Sequence, residues 1–249
     1  MRIVGIIPAR YGSTRFPGKP LAELWGKPLI QHVWERARTS RILEEVIVAT
    51  DDQRILQVVE GFGGQALLTS PQHTCGTERL AEAAHLLKLA DQDLVVNIQA
   101  DQPLVAPEAL EELVRPLLLS SEVPMATLAV PLENPEELQD PNRVKVVVDR
   151  EGRALYFSRA PIPYFRPPGP APRYLKHLGL YAYRREFLDI FIKLPPGELE
   201  KSEKLEQLRA LENGYPIAVS ITPYDCPEVD TPQDLERLRQ RGAEPPASP

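Results

Sequence analysis

Short, near-continuous apolar runs alternate with amphipathic stretches through the first half of this chain, and that alternation admits few architectures. Ile3–Val4–Gly5–Ile6–Ile7, Glu45–Thr50 (EVIVAT) and Asp93–Gln99 (DLVVNIQ) have the hydrophobicity of strands covered on both faces. Between them Leu29, Ile30, Val33, Trp34 and Ala37 recur at helical spacing, so residues 28–38 read as an amphipathic helix. Asp51 is placed to cap the helix after the second strand. A short strand near Ala66–Thr69 leads into a helix over Gly76–Leu89. Units of this kind pack as a parallel sheet with helices on both faces. The expected class is α/β: a Rossmann-like, mixed, mostly parallel sheet flanked by helices, with a smaller insert in the second half.

That second half is less regular. Strands are expected at Met125–Val130, Val144–Asp149, His177–Tyr183 and Pro216–Ile221, with helices over Arg185–Lys193, Glu198–Glu212 and Thr231–Arg241. The proline-rich crossing from Arg159 to Pro172 is long enough to suggest a substrate cover or a contact between subunits. One domain over residues 1–242 accounts for the pattern. Residues 1–125 and 126–242 are its two halves; the tail 243–249 (AEPPASP) is expected to be disordered.

The first strand delivers the chain into Pro8–Pro20, PARYGSTRFPGKP, which carries Arg10, Arg15 and Lys19 among small and turn-forming residues. Gly12, Ser13, Thr14 and Gly18 let backbone N–H groups approach a ligand, and three cations on one loop call for an anion such as a polyphosphate. The loop is not a P-loop. Five residues separate Gly12 from Gly18 where a P-loop has four, and Pro20 stands where its Ser or Thr would hold magnesium. No G-x-G-x-x-G dinucleotide fingerprint is present.

The formal charge of −6 disfavours a nucleic-acid binder, so an anionic ligand must be drawn in by local cations. Two cysteines, Cys75 and Cys226, are too few for a disulfide framework or a structural zinc site. No apolar run has the length of a membrane span, and the cytoplasm is the expected location.

Ligands of open α/β sheets bind at the carboxyl ends of the strands. The residues beyond those ends therefore form one candidate surface: Arg10–Lys19, Thr74–Arg79, Asp101 with Gln102, and Asp230. Thr231–Pro232–Gln233–Asp234 has the pattern of a helix start, with Thr as N-cap, Pro at N1 and an acid at N3, which frees Asp230 for another role. Two carboxylates facing a triphosphate loop are a fitting magnesium site. His177 and Tyr181, four apart on one strand, point to a common face; with Arg159 they could meet a hydroxylated acid, or simply be core residues.

The loop resembles the signature of sugar-nucleotide nucleotidyltransferases, and the chain as a whole resembles the 3-deoxy-manno-octulosonate (Kdo) cytidylyltransferases. The resemblance is carried by IIPARYGSTRFPGKPL, HTCGTERLAEA, NIQADQPLV, PNRVKVVVD, YFSRAPIPY, HLGLYAYRREFL, EKLEQLRALENGYPI and EVDTPQDL, in the family's order over nearly the whole chain. It implies transfer of CMP from CTP to the anomeric hydroxyl of Kdo, with release of pyrophosphate, for lipopolysaccharide synthesis. Arg10, Lys19, Asp101 and Asp230 would be catalytic, the two aspartates holding magnesium. Ala9, Arg10, Ser13, Arg15, Lys19, Cys75, Gly76, Thr77, Arg79 and Gln99 would contact the nucleotide. Gln102, Arg159, His177, Tyr181, Glu206 and Gln207 would surround the sugar acid. A homodimer is implied, with the second-half insert between subunits, so that 1–125 would be the nucleotide-binding half and 126–242 the sugar-binding and dimerisation half. The family reads GDEP where this chain has Ala100–Asp101–Gln102–Pro103, so a charge is lost at 102 while Asp101 is kept. Alternatives are a sibling acting on sialic acid or an amino variant of Kdo, and a relative that binds nucleotide without turnover.

Overall fold

The structure, a computed structural model, describes residues 1–12, 15–132, 134–170 and 172–241. Its strands are β1 Ile3–Ala9, β2 Glu23–Leu24, β3 Lys27–Pro28, β4 Glu45–Thr50, β5 Gln65–Leu68, β6 Leu94–Asn97, β7 Met125–Pro131, β8 Lys145–Val148, β9 Ala154–Ser158, β10 Leu175–Arg184 and β11 Ile217–Ile221. The helices are α1 Leu29–Ala37, α2 Gln53–Gly61, α3 Gly76–Leu86, α4 Pro107–Leu119, α5 Pro135–Gln139, α6 Arg185–Phe191, α7 Glu198–Glu203, α8 Leu208–Glu212 and α9 Pro232–Arg241.

A nine-stranded sheet runs through both halves in the order β11-β7-β10-β6-β1-β4-β5, with β8 and β9 attached beside β10. β1 pairs in parallel with β4 and β6, β4 with β5, and β7 with β11, whereas β10 is antiparallel to both β6 and β7. The sheet is therefore mostly parallel, as the class required, with two reversed strands: β10, and β9, which is antiparallel to β8. Alternate residues of β1 and β4 serve opposite cores: Ile3, Ile7, Val46 and Val48 pack under α1, α2 and α4, while Val4, Ile6, Ile47 and Ala49 pack against α3. Continuous hydrophobicity along these strands is the consequence of having both faces covered.

Two local expectations are corrected. The cap of α2 is Asp52, whose carboxylate accepts from Arg54 N at 2.9 Å from an extended backbone; Asp51 instead pairs with Arg79 Nη2 at 2.7 Å. The single helix expected over Glu198–Glu212 is two, α7 and α8, because Lys204 turns left-handed at φ 55° and ends the first. The strand β9, which begins two residues after the Gly152 turn, is legible only through its pairing with β8.

β10 carries an irregularity between Leu178 and Tyr181, which pair with Leu128 and Thr127 of β7. Leu178, Leu180 and Ala182 still fall in one core and Tyr181 and Tyr183 against the other, so His177 and Tyr181 share a face with ring centroids 5.5 Å apart. The start of α9 is built as expected. Thr231 Oγ1 accepts from Asp234 N at 3.2 Å, and Asp234 Oδ2 accepts in return from Thr231 N at 2.9 Å. Among the described residues no helix is long and apolar enough to cross a membrane. The tail 243–249 lies outside the described residues.

Candidate active site

Two cavities open at the carboxyl ends of the parallel strands and share the walls Arg15 and Asp230. The first, about 400 Å³, is bounded by the loop after β1 (Arg10, Arg15, Lys19), by Thr74, Cys75, Gly76 and Arg79 at the start of α3, and by Gln99, Asp101 and Asp230. The second, about 280 Å³, is bounded by Arg143, Arg159, Lys176, His177, Gln207 and Glu228, among others.

At the junction Lys19 holds both aspartates. Gly18 is left-handed at φ 70°, and the short 3₁₀ turn Lys19–Leu21 follows it, which turns Lys19 inward to 15% side-chain exposure. Its Nζ donates to Asp101 Oδ2 at 2.5 Å and to Asp230 Oδ1 at 3.5 Å, and Arg15 Nη1 lies 3.3 Å from Asp230 Oδ2. Asp101 comes from the loop after β6 and Asp230 from the residue before the α9 cap, so the two ends of the chain meet here. These are the residues that could hold a divalent cation: hard oxygens from the loop after β6 and from the start of α9 converge on one point where a positive group already sits. Among the described residues no three His, Cys, Asp or Glu side chains gather closely enough to hold an ion, so further ligands would come from substrate.

Arg10 is exposed at the mouth of the first cavity. Arg79 is 3% exposed and ties the sheet to α3, through Asp51 at 2.7 Å and the Thr69 hydroxyl. Gln99 Nε2 donates to Gly179 O at 3.0 Å, which links the two cavities' walls. Burial, then the neighbouring Glu206, pushes the Cys75 thiol up to about 11, so it stays protonated and is no nucleophile at neutral pH. Ala9 and Thr77 line neither cavity. Ala9 is buried at the end of β1, and Thr77 donates to Glu206 Oε2 at 2.6 Å. Ser13 lies outside the described residues.

In the second cavity His177 Nε2 lies 3.0 Å from Thr127 Oγ1, and burial lowers its pKa to about 3, which keeps it neutral. Burial, reinforced by Glu206 and Glu228, keeps the Tyr181 phenol protonated. Gln207 is 5% exposed and its Nε2 has no partner, so a donor waits at the cavity wall. Arg159 borders the cavity, but its guanidinium donates to the carbonyls of Glu203 and Pro141 at 2.7 and 2.9 Å. Tyr181, Glu206 and Gln102 line neither cavity; Glu206 borders a separate one, with Thr74, Cys75 and Arg209. The break after α7 is what brings Gln207 here, since Lys204–Gln207 form the link between α7 and α8.

Sequence reasoning missed Arg143, Lys176, Asp225 and Glu228 on the second cavity. Lys176 Nζ donates to Asp225 Oδ2 at 2.7 Å. Burial of its carboxyl, then Asp101 and Asp230, pushes Glu228 up to about 7, although the residue as a whole is exposed. Arg143 lies in PNRVKVVVD and Glu228 in EVDTPQDL, but no spacing in either stretch singles them out.

The family described as "Cytidylyltransferase" matches residues 4–221. A 3-deoxy-manno-octulosonate cytidylyltransferase of Syntrophobacter fumaroxidans is 60% identical, over 96% of each chain. An 8-amino-3,8-dideoxy-manno-octulosonate cytidylyltransferase of Shewanella pealeana is 54% identical, over 97% of this chain and 98% of its own. A solved structure described as a CMP:2-keto-3-deoxy-manno-octonic acid synthetase complexed with CTP superposes with a TM-score of 0.91 at 45% identity, covering 97% of this chain and 98% of that one. With a family match across most of the chain and relatives more than half identical from end to end, this chain belongs to the cytidylyltransferase family, in its 3-deoxy-manno-octulosonate branch.

Proposed function

We propose that the protein transfers CMP from CTP to the anomeric hydroxyl of Kdo, releasing pyrophosphate. The observation that carries this reading is the pair of cavities joined at Arg15 and Asp230, with Lys19 between Asp101 and Asp230 at their meeting point. A triphosphate in the first cavity lies against Arg10, Arg15 and Lys19, and a sugar acid in the second meets hydrogen-bonding groups of His177 and Gln207. The α-phosphate and the attacking hydroxyl then face each other across the shared wall. Phosphoryl transfer of this kind needs little covalent chemistry from the protein: positioning and charge compensation supply the rate. Lys19 and Arg10 offset charge on the transferring phosphate and the leaving pyrophosphate.

Magnesium is the proposed cofactor, held by Asp101 and Asp230, because two carboxylates with substrate phosphates are a common arrangement for that ion. Bound there, it supplies positive charge against the phosphate oxygens and the sugar hydroxyl. Lys19 then shifts from bridging the carboxylates to compensating phosphate. A homodimer through the second half is also proposed, supported by Leu155 at 62% and Tyr164 at 87% exposure there. A cytoplasmic location, and a place in lipopolysaccharide synthesis, follow from the proposed substrates.

Pyrophosphate release from CTP, with Kdo, its 8-amino analogue and sialic acid in parallel and with magnesium present or chelated, tests the reading. Release with Kdo that is lost on chelation is expected. Release with the 8-amino sugar alone would reassign the acceptor, and CTP binding without release from any acid would favour a non-catalytic relative.

A further inference from the structure

We propose that Glu228 is a third carboxylate of the active site, carrying from the wall of the second cavity the negative charge that the family pattern puts at position 102, with Gln102 as its partner. The proposal rests on the reading of Asp101 and Asp230 as a cation site. Gln102 directly follows Asp101 and is 0% exposed. Its Nε2 donates to Glu228 Oε1 at 3.3 Å, and its Oε1 is buried without a partner. Glu228 Oε1 also packs against Gly179, where an added Cβ would stand 3.4 Å from it. The position thus leaves Glu228 one neutral donor on its protein side.

A glutamate at 102 would bring two carboxylates into contact, one of them fully buried, where like charges repel. Glutamine at 102 and glutamate at 228 are therefore chemically linked: one negative charge is accommodated between them, and here it lies on the wall of the second cavity. Glu228 does not ligate an ion with the aspartates, since no three such side chains gather that closely among the described residues. It acts as a positioning residue, adding its field to the Asp101–Asp230 point from the second cavity, whose wall it shares with Arg143. Cation affinity rises with the number of charges around a site.

The test is a charge-exchange cycle in the full chain: E228Q, Q102E and the double variant Q102E/E228Q. Mn²⁺ binding by electron paramagnetic resonance, with CTP and no sugar, is read beside the melting temperature. E228Q is expected to weaken Mn²⁺ binding about fivefold. Q102E is expected to lower the melting temperature by about 5 °C. The double variant is expected to recover both the melting temperature and Mn²⁺ affinity to within about twofold of the parent. Unchanged Mn²⁺ affinity in E228Q, or a double variant no better than Q102E, would overturn the proposal. If Q102E fails to fold, folding of the double variant supports the linkage and its failure sinks it. If the parent protein binds no Mn²⁺, the metal reading and with it the site role of Glu228 fall, whereas absent turnover of Kdo beside a normal cycle rejects only the acceptor.

Discussion

Lys19 is the residue on which the site's charge balance turns. It is the ammonium shared by Asp101 and Asp230, and the proposed chemistry moves that charge onto phosphate. Lys19→Ala is expected to lower the rate of pyrophosphate release about a hundredfold, as loss of a charge-stabilising donor does. A steady-state rate within threefold of the parent would remove it from that role. His177 gives a second expectation at this scale. Its folded pKa, about 3, lies below the 6.5 of a free imidazole. Between those values the unfolded chain binds more protons, so stability is lost as pH falls from about 6.5 toward 3. His177→Gln keeps a hydrogen-bonding group near Thr127 and removes the titration. Urea unfolding at pH 7 and pH 5 should show the parent losing about 1–2 kcal/mol more than the variant over that step. Equal losses would mean that His177 is not held neutral.

Elements decide which of these residues meet. The link between α7 and α8 exists because Lys204 adopts φ 55°, a conformation that β-branched side chains strongly disfavour. Lys204→Val should therefore cost about 1–2 kcal/mol of stability. It should also raise KM for the sugar acid more than KM for CTP, because Glu206 and Gln207 follow directly while the walls of the first cavity belong to other elements. Equal changes in both constants would break the connection between this turn and the second cavity. The start of α9 was legible in advance: Thr231, Pro232 and Asp234 spell a cap by short-range chemistry, and the cap forms without Asp230's carboxylate. The α7–α8 break was not, since helical periodicity continues across Lys204 and only packing against β9 and the second cavity ends it.

Across the whole molecule, the first cavity draws on the first loop, the start of α3, the loop after β6 and the residue before α9. Nucleotide binding therefore ties together segments remote in sequence and should stabilise the fold. CTP at a hundred times its Kd is expected to add about 2.7 kcal/mol by mass action, seen as a higher melting temperature. A melting temperature indifferent to CTP, at concentrations that saturate binding by calorimetry, would contradict a site present only in the folded state. The same scale sets the order of the sheet: β10 is inserted between β6 and β7, so residues of the second half face those of the first.

By itself the sequence determined what depends on neighbours within a few residues: the doubly covered strands, the helix starts, and the basic loop Arg10–Lys19 that seeks an anion. It also placed Asp101 beyond a strand end, whereas Asp230, expected at another, stands just before α9, well past the end of β11 at Ile221. Only the tertiary structure decided which polar groups touch. Arg159 proved to hold carbonyls of Glu203 and Pro141, and Arg79 to brace the sheet against α3. Arg143, Lys176 and Glu228 entered the second cavity from segments with no local mark of function. The reason is physical: local propensity and periodicity act over one or two turns, whereas a hydrogen bond such as Gln102 to Glu228 joins residues far apart in sequence and exists only once the sheet has brought their strand ends together.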